Sequence, residues 1–312
     1  MKVAVLGSGG IGAFLGGGLA KSGHDVTFLA RGKHLEAMQN RGLIVESVSL
    51  GNFQLKVRAT DQPSEVGPVD LVLFCVKAYD TDMVLQEVGP LIRENTTVLC
   101  FQNGVDNEDR IAAIVGKQHV LAGAIFIESY IAEPGKIIQA AGPWRIVIGE
   151  MDGTITQRAK TIHETLERSG FKCELSDRIQ EVLWEKFIFI CATAGVCTVS
   201  RSSLGEALAF NPTRKLYVSA LREIAAVGKA NGIKLADDIA TKTLERADGV
   251  SRTTKPSMLR DLERGKRLEI DTMNGTVSKL GRELSVPTPA NDFIFAALKL
   301  QDLRVERGSY LS

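Results

Sequence analysis

The chain has five cysteines and no Cys-x-x-Cys pair. An odd number without that spacing argues against a disulfide framework and for reduced thiols in the cytoplasm. Cys75, Cys100 and Cys191 lie within apolar runs, where the ordinary place for a thiol is the core. His24, His34, His119 and His163 stand at no metal-ligand spacing, so no metal site is expected. Lysine plus arginine number 38 against 37 aspartates and glutamates, and no basic run marks a nucleic-acid surface. No uninterrupted apolar stretch reaches the roughly 18 residues of a membrane span. The apolar run at the N-terminus is too short for a signal peptide. What remains is a soluble globular composition, 44% hydrophobic and 24% charged over 312 residues, long enough for two domains.

Against those absences the first twelve residues stand out. Val3 to Leu6 reads as a buried strand, and it runs into Gly7-Ser8-Gly9-Gly10-Ile11-Gly12, followed by a glycine-rich helix from Ala13. Strand, G-x-G-x-x-G and helix together form a dinucleotide fingerprint. Gly7 permits the tight turn, Gly9 lets a pyrophosphate approach, and Gly12 lets the helix press on the strand. The phosphates would meet unpaired N–H groups at the helix N-terminus.

Strand-like and helix-like segments alternate through the first half. Asp25–Leu29 reads as a second strand, Leu43–Glu46 with Phe53–Ala59 as a hairpin insertion, and Val69–Val76 and Thr97–Phe101 as central strands. Val120–Ile127, Lys136–Gln139 and Arg145–Ile148 read as further strands, then a helix over 156–169 and a last strand over 171–175. Such alternation predicts an α/β N-terminal Rossmann-type doubly wound sheet over residues 1–176. From there to 312 the periodicity is helical, with segments at 178–199, 203–209, 212–231, 236–247, 257–282 and 289–305. A mainly α-helical C-terminal domain is therefore expected from 177 to 312.

In the NAD form of the fingerprint a carboxylate at the tip of the second strand holds the ribose. Here the strand runs out into Ala30-Arg31-Gly32-Lys33. A guanidinium suits a 2′-phosphate, so NADPH is the expected cofactor. Lys77 and Asn103 follow two buried strands, at the sheet edge where ligands bind in such folds. Lys186 lies in Val182–Ala192, a segment apolar on nearly every side; a lysine there must snorkel, find an anion or work in a desolvated site. Ser257 opens another helical segment near its cap, and Glu269 sits among apolar neighbours.

These pieces, in order, resemble the ketopantoate reductase (2-dehydropantoate 2-reductase) family. They are Gly7-x-Gly9-x-x-Gly12, Arg31, Val76-Lys77-Ala78, Gln102-Asn103-Gly104, Leu183-Trp184-x-Lys186, Pro256-Ser257-Met258-Leu259-x-Asp261 and Glu269-Ile270-Asp271-x-x-Asn274-Gly275. The resemblance implies a 6-phosphogluconate-dehydrogenase-like fold and NADPH-dependent reduction of 2-dehydropantoate to pantoate, in pantothenate and coenzyme A synthesis. It implies that Lys186 donates the proton, that Asn103 touches cofactor and substrate, and that Ser257 binds substrate. Glu269 would contact the nicotinamide end, and Lys77 would be a cation beside cofactor and substrate.

The chain departs from the family's pattern at three places. Ile190, Ala194 and Leu204 stand where substrate-binding asparagines are usual. A site built on such amides owes them factors of about 10⁴ in discrimination. A different 2-oxo acid, or an imine formed from one, is therefore a second reading. A third makes the chain an NADPH-binding redox sensor without turnover. A two-fold dimer and a monomer are equally compatible with the sequence.

Overall fold

Four short runs, buried on both faces, build the centre of the first unit; only a parallel sheet covered by helices accommodates such strands. The computed structural model describes residues 1–306 and, within them, every side chain except those of residues 141–143. Contacts divide the chain into two units, Met1–Gln102 with Asn107–Ile179, and Asn103–Asp106 with the residues from Gln180 on. The division thus falls at Ile179 rather than at 176, because Ile179 packs on Gly149 of the first unit. The short loop Asn103–Asp106 groups with the second unit, which the sequence did not foreshadow.

In chain order the first unit opens with β1 (Lys2–Leu6), α1 (Gly10–Lys21), β2 (Asp25–Leu29), α2 (Gly32–Arg41), β3 (Leu43–Ser47), β4 (Phe53–Leu55), β5 (Arg58–Thr60) and α3 (Pro63–Val66). It continues with β6 (Leu71–Phe74), α4 (Thr81–Glu87), β7 (Thr97–Cys100), α5 (Asn107–Val115), β8 (Val120–Glu133), β9 (Lys136–Gly149), α6 (Gln157–Arg168) and β10 (Lys172–Leu175). The sheet runs β4-β3-β9-β8-β7-β6-β1-β2-β5, with β10 also on β9. From β8 to β5 all pairings are parallel, and β9 returns antiparallel to β8. Leu6 stands beside Leu29 and Phe74, and Phe74 beside Cys100. This register brings the loops beginning at Gly7, Ala30, Cys75 and Phe101 out at one edge.

The expected strands 120–127, 136–139 and 145–148 are in fact two arms of one long hairpin, β8 and β9, each of 14 residues. Between 139 and 145 the pairing shifts register rather than ending, from Phe126 opposite Arg145 to Glu128 opposite Ala141, and β9 is also held by β3 and β10.

Apart from its first residue, α7 (Ile179–Ser200) lies in the second unit, with α8 (Leu204–Ala209), α9 (Asn211–Ala230), α10 (Ile239–Asp248), α11 (Ser257–Glu263), α12 (Thr276–Glu283) and α13 (Pro289–Glu306). By length and composition α7 could cross a membrane, yet 72% of its most apolar window is buried inside the structure. Trp184, Phe187, Ile188 and Cys191 place it in the core of this unit. The single helix expected over 257–282 is broken. Its middle bends through a π-type turn over Asp271–Gly275, with Met273 at φ −105° and ψ −106°. Side chains from α13 and α9 outcompete helical continuity there. Asp302, fully buried, accepts the Leu268 N–H at 2.8 Å, and Lys299 pairs with Asp271 at 2.6 Å. The Asn274 amide donates to Asn291 at 2.9 Å, and Asn291 donates to Glu223 at 2.7 Å.

Candidate active site

The glycine loop leaves β1 with Gly7 at φ +89°, in the left-handed region, where a side chain is strained. Its three motif glycines and their neighbour Gly10 face different surroundings. A Cβ at Gly12 would fall on the Gly7 carbonyl and on Val5 and Cys75, so this glycine serves the packing of α1 on β1. A Cβ at Gly9 would meet nothing within 4 Å. That open side, at the N-cap of α1, is where a pyrophosphate would approach the backbone. Ala13 N–H donates to Gly9 O at 2.9 Å, the first bond of the helix. The N–H groups of Gly10, Ile11 and Gly12 precede it and are the orphan donors that suit an anion. The loop therefore fits a dinucleotide.

Two loop residues also have structural partners. Ser8 is buried, and its hydroxyl donates to Leu29 O at 2.9 Å, tying the loop to the tip of β2. Ile11 packs on the core of the unit. Gly10 has a reason that the sequence did not reveal: a Cβ there would fall on the backbone of Ser129 and Tyr130 in β8. The Ser129 hydroxyl donates to Gly10 O at 2.9 Å. The hairpin is thus the back wall of the loop.

At the tip of β2, Arg31 is the N-cap residue of α2 and is exposed. Its guanidinium lies 3.6 Å from Glu87 and 3.9 Å from the Met83 sulfur. Both contacts are long and solvated, and an exposed pair of this kind contributes little to stability. Lys33, also exposed, is in the first turn of the same helix. Lys77 is half-buried in the loop after β6. Gln102, absent from the sequence-based set, fixes that loop by donating to Val76 O at 3.0 Å and to the Thr81 hydroxyl at 2.8 Å. A polar residue directly after a buried strand was the available signal for it.

In the second unit, Lys186 is 7% exposed, and its ammonium donates to Asn103 Oδ1 at 3.0 Å. Residues far apart in sequence thus form one polar pair. One helical turn further on, Ile190 is half-buried on the same side of α7, as i, i+4 spacing requires. Ala194 and Leu204 are buried. Thr193, a nearby hydroxyl, is engaged with the Tyr217 hydroxyl at 3.0 Å. Ser257 is the first residue of α11, exposed, with Pro256 at the N-cap position, so the serine is not itself a side-chain cap. Glu269 is 9% exposed, between Leu268 and the π-type turn, both anchored by α13. The thiols show no sign of reactivity. Cys100, Cys173, Cys191 and Cys197 are buried and Cys75 is half-buried. Burial pushes the Cys173 and Cys197 thiols up to about 12, which keeps them protonated and unreactive.

Comparison with known proteins identifies this arrangement. The sequence profile of Ketopantoate reductase PanE/ApbA matches residues 3–153, and that of its C-terminal domain residues 178–302. An uncharacterized oxidoreductase of Bacillus subtilis, YkpB, is 32% identical over 97% of this chain and 99% of its own. The 2-dehydropantoate 2-reductase of Pyrococcus horikoshii is 30% identical over 97% of this chain and 98% of its own. The crystal structure of a PanE/ApbA family ketopantoate reductase from Ralstonia eutropha superposes with a TM-score of 0.90 at 33% identity, covering 98% of this chain and 100% of that one. With both domains of the family matched across nearly its whole length, the chain belongs to the ketopantoate reductase family of oxidoreductases, pyridine-nucleotide-dependent reductases of 2-oxo acids.

Proposed function

We propose that the protein reduces 2-dehydropantoate to pantoate with NADPH. The observation that carries this reading is the buried Lys186 ammonium bonded to Asn103. Burying a charge is costly unless it is paired or used, and the Asn103 amide orients the ammonium without neutralising it. Bound NADPH supplies the hydride to the keto carbon. Lys186 holds the carbonyl oxygen by a charge-assisted hydrogen bond, stabilises the negative charge developing there and transfers its proton to it. Asn103 fixes the direction of the ammonium and contacts cofactor and substrate. Lys77 offsets the substrate carboxylate, Ser257 donates to the substrate, and Glu269 contacts the nicotinamide end. Gly7, Ser8, Gly9, Gly10, Ile11 and Gly12 form the pyrophosphate loop.

Exposed Arg31 and the missing carboxylate at the tip of β2 support NADPH over NADH. Arg31→Ala is expected to lower kcat/KM with NADPH by about tenfold or more, the scale of a charge-assisted phosphate contact. With NADH it should change less than about twofold, since no 2′-phosphate is lost. Equal losses with both nucleotides would remove Arg31 from the selection of the phosphate.

A second reading, reduction of another 2-oxo acid, is favoured by Ile190, an apolar side chain half-buried one turn beyond Lys186. The discriminating experiment compares 2-dehydropantoate with trimethylpyruvate, the same acid without its terminal hydroxyl. A preference for 2-dehydropantoate supports the pantoate reading; the reverse order, strengthened by larger apolar analogues, supports the second. Ile190→Asn then shifts the ratio toward the hydroxylated acid by about tenfold, a polar site being the more discriminating. The redox-sensor reading is disfavoured by protonated, buried thiols. It would regain ground if NADPH bound tightly and no oxo acid were reduced.

A further inference from the structure

The turn of the β8–β9 hairpin rests on α2. Gly135 N–H donates to His34 Nδ1 at 3.0 Å, and the Gly135 carbonyl accepts from Ile44 of β3 at 2.9 Å. Arg41 donates to Pro134 O at 3.0 Å. His34 is half-buried, its Nε2 is fully buried without a hydrogen-bond partner, and its ring lies close enough to the Ser8 backbone to feel it electrostatically. Because Nδ1 accepts a hydrogen bond, the imidazole is neutral with its proton on Nε2. One side chain thus lies between the hairpin turn and the glycine loop. Ser129, donating to Gly10 O, joins the same hairpin to the same loop.

We propose that His34 is a positioning residue for the dinucleotide site, holding the glycine loop in its binding form only while its imidazole is neutral. This rests on the reading of that loop as the pyrophosphate site. A proton on Nδ1 would set donor against donor at Gly135 N–H, and the turn would have to move. The shift reaches Gly10 through Ser129, because the backbone of β8 touches Gly10 with no side chain between. The charged groups around His34 are Lys33, Glu36 and Arg41 on its own helix, Glu133 and Lys136 at the hairpin turn, and Glu46 on β3, paired with Lys136 at 2.7 Å. The glycine loop carries no charge, and Tyr130 stands beside Gly10. Among the described residues none of these forms an ion pair with the imidazole that would favour its charged form. Burial holds the imidazole pKa below its ordinary value, against a smaller upward pull from the Ser8 backbone. The neutral form is therefore the resting one at neutral pH. The hold on the loop is lost as pH falls below the ordinary histidine range.

The test measures dissociation constants of the intact protein by calorimetry at about pH 7.5 and about pH 5.5. NADH is the probe, because it lacks the 2′-phosphate that itself titrates near about pH 6. Wild-type Kd should rise about fivefold at the lower pH, the scale of one lost hydrogen bond. His34→Asn, whose amide oxygen replaces Nδ1 as an acceptor that cannot titrate, should hold the neutral-pH affinity within about twofold and remove the pH dependence. His34→Ala should bind weakly at both pH values; if it fails to fold, wild type against His34→Asn still decides. A flat wild-type profile, or an unchanged slope in His34→Asn, overturns the role of His34 and leaves the dinucleotide reading standing. If wild type binds neither NADH nor NADPH at about pH 7.5, the dinucleotide reading itself fails.

Discussion

Lys186→Ala is expected to lower kcat by about 10²–10⁴-fold, the range for a positioned proton donor. NADPH affinity should stay within about twofold, since the role proposed for the residue is on the substrate oxygen and not on the pyrophosphate loop. Lys186→Arg sharpens the test. It keeps the positive charge but cannot release a proton near neutral pH, so it should recover binding of an oxo-acid inhibitor and not turnover. Lys186→Ala removes the donor that Asn103 Oδ1 has at 3.0 Å, a loss of about 1–3 kcal/mol in stability. A melting curve run beside the kinetics separates that from a catalytic defect. Turnover within a few-fold of wild type in Lys186→Ala would exclude proton delivery from this residue.

The second large effect is a contrast between adjacent glycines. Gly10→Ala should destabilise the first unit by about 3 kcal/mol or more, at the upper end of overpacking costs. The atoms it would strike belong to the backbone of Ser129 and Tyr130 and cannot turn aside as a flexible side chain could. Gly9→Ala should leave the melting temperature within about a degree, because its Cβ meets nothing within 4 Å and a surface change away from special features moves stability little. Its expected loss is in binding, since the new methyl would occupy the space through which a pyrophosphate would reach the N–H groups of α1. NADPH affinity should fall about 100-fold, or about 2.7 kcal/mol. Thermal melts with and without NADPH measure both effects. A stable Gly10→Ala, or a Gly9→Ala that binds normally, would reverse the two assignments.

The fingerprint was legible because strand, turn and helix are contiguous. Val3 to Leu6 is buried on both sides, Gly7 needs its left-handed φ, and the helix follows at once. The absent carboxylate after Leu29 was equally local. Lys186 could be picked out because a charge in an apolar helix is conspicuous in any context. The helix expected over 257–282 was misread for the opposite reason. Its periodicity is sound, and the break comes from Asp302 and Asn291, which lie on α13.

Neighbours along the chain were enough to set the buried strands, the glycine turn, the helical character of the second half and the residue types available for chemistry. Tertiary structure decided which of those residues meet. Asn103 and Lys186 are 83 positions apart, Gly135 and His34 are 101 apart, and Ser129 and Gly10 are 119 apart. Periodicity reports which face of an element is apolar. It carries no information on which distant backbone comes to rest against that face. For the same reason Gly9 and Gly10 look alike in the sequence, and only the fold makes one an open approach and the other a packed contact.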